Sequence, residues 1–267
     1  MGNLKNNLGD VLQKLKNAKH GDREALLAEY EEVLTAFHQK VLESARSRKP
    51  ETSFLARVGF GDLAWVLHLN RDYKAVGESL SVLNALTPEP SLEEIKRRPK
   101  WPEGFDPSAK KRAMFWNPFS WGALSVAVKN KLVFPGIPPQ EIFTRIQDAK
   151  NWGNYYANGG EASVEQIKKI GQTFSFRTFN MIFKSKIVTL KDKGEVLSIA
   201  WHAKSLGTEV VHRWDIYSDK NGGAIVTTEE TQRGIKPLLT AIMLKPAMEI
   251  THQNWLIGHG VAAIKSR

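Results

Sequence analysis

Residues 196–216 read VLSIAWHAKSLGTEVVHRWDI, and residues 222–230 read GGAIVTTEE. Leu197, Ile199 and Trp201 share one parity. Val210, His212, Trp214 and Ile216 share the next, and Val226, Thr228 and Glu230 a third. Side chains two apart leave a strand on the same face, so this pattern describes three half-buried strands. Leu206-Gly207 and Asn221-Gly222-Gly223 separate them, and such residues accept the positive φ of tight hairpin turns. Strands joined in this way form an antiparallel meander.

The alternation extends outward in both directions. Upstream, Phe174, Phe176 and Thr178 alternate after Gly171, and Ile182 to Leu190 alternates before the Lys193-Gly194 turn. In that second stretch the inward parity is open, so Arg177, Lys184 and Lys186 stand as candidates for an anionic group inside. A strand with Leu124, Val126, Val128, Leu132 and Phe134 inward precedes Pro138-Pro139. A helix follows with Ile142, Phe143 and Ile146 on one face, then an aromatic cluster of Trp152, Tyr155 and Tyr156. Downstream, a helical stretch runs from about Ile235 to Lys265, with Pro246 expected to kink or split it.

Ahead of all this the chain reads as helical. Leu26, Tyr30, Leu34, Phe37 and Val41 form a stripe from Asp22 to about Ser47. Further helical segments are expected at 54–69 and 72–86. From Thr87 to Pro118 the periodicity stops, and six of the 12 prolines fall there. Trp101, Phe105, Phe115 and Trp116 predict that this stretch lies on a surface and anchors there. The organisation expected is therefore a helical region over 1–86, a proline- and aromatic-rich linker over 87–120, and a sheet-and-helix domain over 121–267.

Composition narrows the chemistry. The 267 residues are 42% hydrophobic and 25% charged, enough to bury a sizeable core. No cysteine is present, which excludes disulfide scaffolds, thiolate metal sites and thiol nucleophiles. The net charge is +10, with a dense basic run at Lys96, Arg97, Arg98 and Lys100. An anionic membrane surface suits such a run, but a solvated linker explains it more simply, and no nucleic-acid partner is expected. No apolar stretch is long enough to cross a bilayer and no secretory leader is visible, so a cytoplasmic chain is expected.

The order of strand, helical pair, meander and long terminal helix resembles the helix-grip superfamily of START-like and polyketide-cyclase-like proteins. The resemblance covers residues 121–267. It rests on the Leu124–Phe134 strand, Pro138-Pro139, Asp148 with Trp152, the Leu197/Trp201 strand, His212 with Trp214, Gly222-Gly223, and Glu229-Glu230 before Gly234. It implies an α+β fold in which a curved antiparallel sheet grips the terminal helix around an apolar cavity. It also implies binding of a hydrophobic small molecule or lipid, or a cyclase-type reaction on a polyketide-like intermediate. A third reading is an interaction protein that docks a partner or an anionic membrane through its N-terminal region.

Candidate cavity residues follow from parity. Phe174, Phe176, Trp201 and Trp214 face inward from the strands, with Thr228 beside them. Leu239, Met243 and Trp255 are placed opposite, on the helix. His212 and Glu230 share the inward parity, and a buried ionisable group needs a partner. Either they pair with each other as structure, or they serve a ligand as acid and base. Glu249, His252 and His259, three and seven residues apart, fall on one helical face. A Glu-x-x-His metal motif needs a counterpart on another helix, and none is present, so a polar face with no metal is expected. No phosphate loop or nucleophile elbow occurs, and no cofactor is expected.

Overall fold

The computed structural model describes residues 10–11, 13–14, 17–18, 22–46, 87–107, 125–156, 159–178, 181–205, 207–220 and 222–266. The helical segments expected at 54–69 and 72–86, and Phe115 and Trp116, lie outside these residues.

One seven-stranded antiparallel sheet organises the chain. Its strands are β1 (Ser125–Phe134), β2 (Gly159–Ala162), β3 (Thr173–Thr178), β4 (Met181–Lys191), β5 (Val196–Ser205), β6 (Thr208–Asp219) and β7 (Gly223–Arg233). Their order is β1-β7-β6-β5-β4-β3-β2. β2 to β7 are therefore a meander, and β1 returns to pair with β7. The central register sets Trp201 beside His212, and His212 beside Glu230. The hairpin turns carry Gly207 and Gly222 at φ of 72° and 82°, a region that favours glycine. β4 shifts register between Ile187 and Thr189. N-terminal to that bulge its parity is clear: Phe183, Ser185 and Ile187 are buried, while Ile182, Lys184 and Lys186 face solvent. Arg177 is exposed too, so none of these three cations reaches the interior.

Between β1 and β2 lie α2 (Pro139–Gln147), a 3-10 turn (Ala149–Asn151) and α3 (Trp152–Tyr155). Pro at the helix start suits a position whose N–H has no intrahelical partner. The helix buries Ile142, Phe143 and Ile146. The terminal helix α4 (Ile235–Lys265) continues through Pro246 as one element. Its residues Thr251 to Val261 are buried on every side. They lie between the sheet and α1 (Arg23–Arg46), which packs on the outer side of α4. Tyr30 donates to the Val133 carbonyl at 3.0 Å, and Asn254 meets His38 at 3.2 Å. Gly258 and Gly260 make this seat possible: a Cβ on the first would strike the Tyr155 backbone, and on the second the Phe134 ring.

The other face of the sheet is covered by residues 87–107, which include the short helix Leu92–Arg97. Ser91 caps that helix in a reciprocal box with Glu94. Phe105 is buried edge-on to His202, with the Arg233 guanidinium 4.1 Å above its ring. Arg213 sits 5.3 Å from the Trp101 ring. Arg98 departs from the solvated-run expectation. It donates to Glu229 at 2.7 Å and lies 3.5 Å from Asp215, which also holds Ser198 and Arg213. A carboxylate pair on the sheet draws this cation inward, which a charge run read in sequence does not reveal.

Arg98→Ala removes the cation that ties this strap to Asp215 and Glu229. We expect a loss of about 1.5–3 kcal/mol in urea unfolding, the range for hydrogen bonds to charged groups. Proteolysis within residues 87–107 should accelerate while the sheet stays intact. Unchanged stability and an unchanged cleavage pattern would show that the strap is held by its other contacts, such as Phe105 on His202 and Glu89 on Lys131.

Candidate functional site

The concave face of the sheet, closed by α4, holds a cluster of aromatic rings. Trp255 stacks on Tyr156 at 4.3 Å and meets Trp152, Trp214 and His212 edge-on at 5.1 to 5.4 Å. Trp152 also stacks on Trp201 at 5.2 Å. These rings leave a small cavity of about 50 Å³. Phe176, Trp201, His212, Glu230 and Trp255 border it. Phe174, Trp214 and Thr228 are buried but stand behind this wall rather than on it.

Leu239 requires a correction. It is 78% exposed, and Ile242 is 91% exposed. The first turns of α4 project past the sheet, and their cavity side carries Lys236, Pro237 and Leu244 instead. An apolar group at helical spacing identifies a face but not which neighbour lies under it. The side chain of Met243 lies outside the described residues.

At one wall of the cavity the polar groups converge. His212 on β6 and Glu230 on β7 are direct cross-strand partners, with Nδ1 2.9 Å from Oε2. His212 Nε2 lies 2.6 Å from the Thr228 hydroxyl. Gln232, one step along the same face, donates to Glu230 Oε1 at 2.5 Å. His252 approaches from α4 and brings its Nε2 to 3.4 Å from the same Oε2. All three ionisable residues are buried. Burial lowers the His212 pKa to about 4, against the opposing pull of Glu230. Burial also works against ionising Glu230, but His252 and His212 outweigh it and hold the carboxylate below its usual range.

The helix does not present Glu249, His252 and His259 as one polar face. Glu249 is partly exposed, 3.8 Å from Lys245, whereas His252 and His259 are buried. Sequence reasoning missed His252 as a partner of the strand pair, and missed Gln232. The available signals were the shared parity of Gln232 with Glu230, and the three-residue spacing of His252 and Trp255 on the helix.

No family model and no curated protein matches the chain. Solved structures similar to it include hypothetical protein jhp0584 from Helicobacter pylori, at 22% identity and a TM-score of 0.52. That match covers 67% of this chain and all of the other. The di-domain aromatase/cyclase StfQ of a steffimycin biosynthetic pathway matches at 15% identity and a TM-score of 0.41, over 54% of this chain and 52% of that protein. Ara h 8.0201 matches at 9% and 0.35, over 50% and 97%. The fold is the helix-grip fold. The curled seven-stranded sheet and its buried terminal helix establish this. At these identities the likeness speaks for architecture alone. No helix among the described residues is long and apolar enough to cross a membrane.

His259 is the second buried imidazole of α4, and neither nitrogen has a hydrogen-bond partner among the described residues. Burial, then Arg145 and His38, lowers its pKa to about 3. The unfolded value is near 6.5, so its contribution to stability is complete above that pH and is lost as pH falls toward 3. Charging it should cost about 2 kcal/mol at pH 5. Burial of His212 causes a loss of its own over this range in either protein, so we expect His259→Leu to lose about 2 kcal/mol less than the wild type between pH 7 and pH 5. Parallel pH profiles of the two proteins in calorimetry would contradict this.

Proposed function

We propose that this chain binds a predominantly apolar, ring-containing small molecule, whose polar end meets the Glu230 carboxylate beside His212. The observation that supports this most directly is the cavity wall, where aromatic rings surround a hydrogen-bonded imidazole–carboxylate pair. An ionised carboxylate accepts from a ligand hydroxyl, and the aromatic faces suit a flat apolar body. A ligand larger than a few waters needs the cavity to widen. The segment Lys236–Leu244 forms its outer wall, and that segment is bracketed by Gly234 at φ 126° and by Pro246. Proline removes one helical hydrogen bond and weakens the helix at that point, so the first turns of α4 are the natural part to swing outward.

The cyclase-type reading uses the same pair as acid and base. It draws less support, because both nitrogens of His212 are already engaged, one by Glu230 and one by Thr228. Docking to an anionic surface through the basic run also draws less support. Arg98 is spent on Glu229, and Lys96 is paired with Glu93 at 2.7 Å.

A neutral environment-sensitive naphthalene dye such as prodan tests the binding reading, alongside native mass spectrometry for a co-purified apolar molecule. Val210 lies on β6 at the cavity wall, and Val210→Trp should fill the space and weaken dye binding at least tenfold. Leu239→Trp, on the solvent face of α4, should leave it unchanged. Equal affinity in wild type and Val210→Trp would remove the cavity from the function.

A further inference from the structure

His212, Glu230 and His252 present one ligand atom each, and the three atoms lie within 4.8 Å of one another. We propose that they form a binding site for a divalent transition-metal ion of the zinc class, with an open coordination position facing the cavity.

The two distances to the carboxylate suit such an ion. Imidazole nitrogen and carboxylate oxygen bind zinc at about 2.0–2.2 Å. Two such ligands stand about 2.9 Å apart at a right angle and about 3.4 Å apart at the tetrahedral angle, by the same bond lengths. Glu230 Oε2 lies 2.9 Å from His212 Nδ1 and 3.4 Å from His252 Nε2. The chemistry suits it as well, since two imidazoles and one carboxylate form a donor set of borderline hardness.

The groups behind the ligands strengthen the case. Gln232 donates to Glu230 Oε1 and fixes the carboxylate, which leaves Oε2 turned toward the imidazoles. Thr228 holds His212 Nε2. When Nδ1 takes the ion, the ring proton moves to Nε2 and the hydroxyl turns from donor to acceptor, so no partner is lost. Outer groups of this kind orient metal ligands and set their tautomer. His252 provides an independent observation. It is 1% exposed, its Nδ1 has no partner among the described residues, and its Nε2 makes only the long contact with Glu230. A buried imidazole so poorly served calls for a ligand.

His212 and Glu230 border the cavity, so the remaining coordination position opens onto it. Three protein ligands and one open position are what zinc keeps where it polarises a carbonyl or binds a hydroxyl oxygen. The polar end of the apolar molecule proposed above would then be a carbonyl or enolic oxygen. That last step rests on the cavity-binding reading; the metal site itself does not.

The test uses the full chain, dialysed against chelator and titrated with Zn²⁺ by calorimetry and with Co²⁺ by visible absorption, without any apolar ligand. We expect one ion per chain with micromolar or tighter affinity and a higher melting temperature in zinc. Glu230→Gln and His252→Gln should each weaken binding at least tenfold, while His202→Gln, at a partly buried imidazole near Glu209 on the other face of the sheet, should not. Zinc-edge X-ray absorption of the wild type should show two imidazoles and a carboxylate, and it decides the question if the variants fail to fold. No stoichiometric binding, full binding in both variants, or fewer than two imidazoles at the ion would each overturn the proposal. Prodan binding to the chelator-treated protein then tests the cavity reading separately.

Discussion

Trp255 is the point on which the rest of the fold is hung. It touches α3 through Trp152, the loop after it through Tyr156, the sheet through Trp214 and His212, and its own helix through His259. A ring of this size at the middle of the concave face sets how tightly the sheet can curl and how close α4 can come. It also prevents the sheet and the helix from closing fully, because flat rings meeting edge-on leave gaps that aliphatic chains would fill. The small cavity is one consequence. The ring-walled setting of the His212–Glu230 pair is another.

The two faces of the sheet handle buried carboxylates differently. On the convex face Asp215 and Glu229 are matched by Arg213 and Arg98, guanidinium groups that stay charged at any accessible pH. On the concave face Glu230 meets two imidazoles and an amide, all of them able to change partner or proton. A buried ion pair with a permanent cation is a structural fixture. A carboxylate whose partners are imidazoles and an amide, with no guanidinium fixed on it, keeps a capacity to take a cation or a polar ligand.

Much of this was legible in the sequence where one rule governed one face. Parity located His212, Trp201 and Glu230 on a common side because β5 to β7 run without a bulge, so a residue count carries through the whole meander. It could not settle β4, where the register shift near Val188 breaks the count. It misplaced Leu239 because the apolar spacing of α4 continues past the point where the helix leaves the sheet. Arg98 and His252 were misread for a shared reason. Each looks local in sequence, one in a basic run and one three residues from Glu249, yet each is drawn to a carboxylate more than a hundred or some twenty residues away. Long-range electrostatic pairing leaves no local pattern.

The terminal helix shows the same division along its own length. From Thr251 to Val261 it is buried all round, clasped by sheet and α1, and fastened by Gln253 to Asn130 at 3.0 Å and to the Lys131 carbonyl at 3.2 Å. Before Pro246 it exposes Ile235, Leu239 and Ile242 and lends only one side to the cavity. Local stability follows buried contacts, so the two halves of one helix differ in their freedom to open. Pro246 sits at the junction between them. The anchored half holds His252 against Glu230, and the loose half covers the mouth; a ligand can therefore be admitted without disturbing the groups that would recognise it.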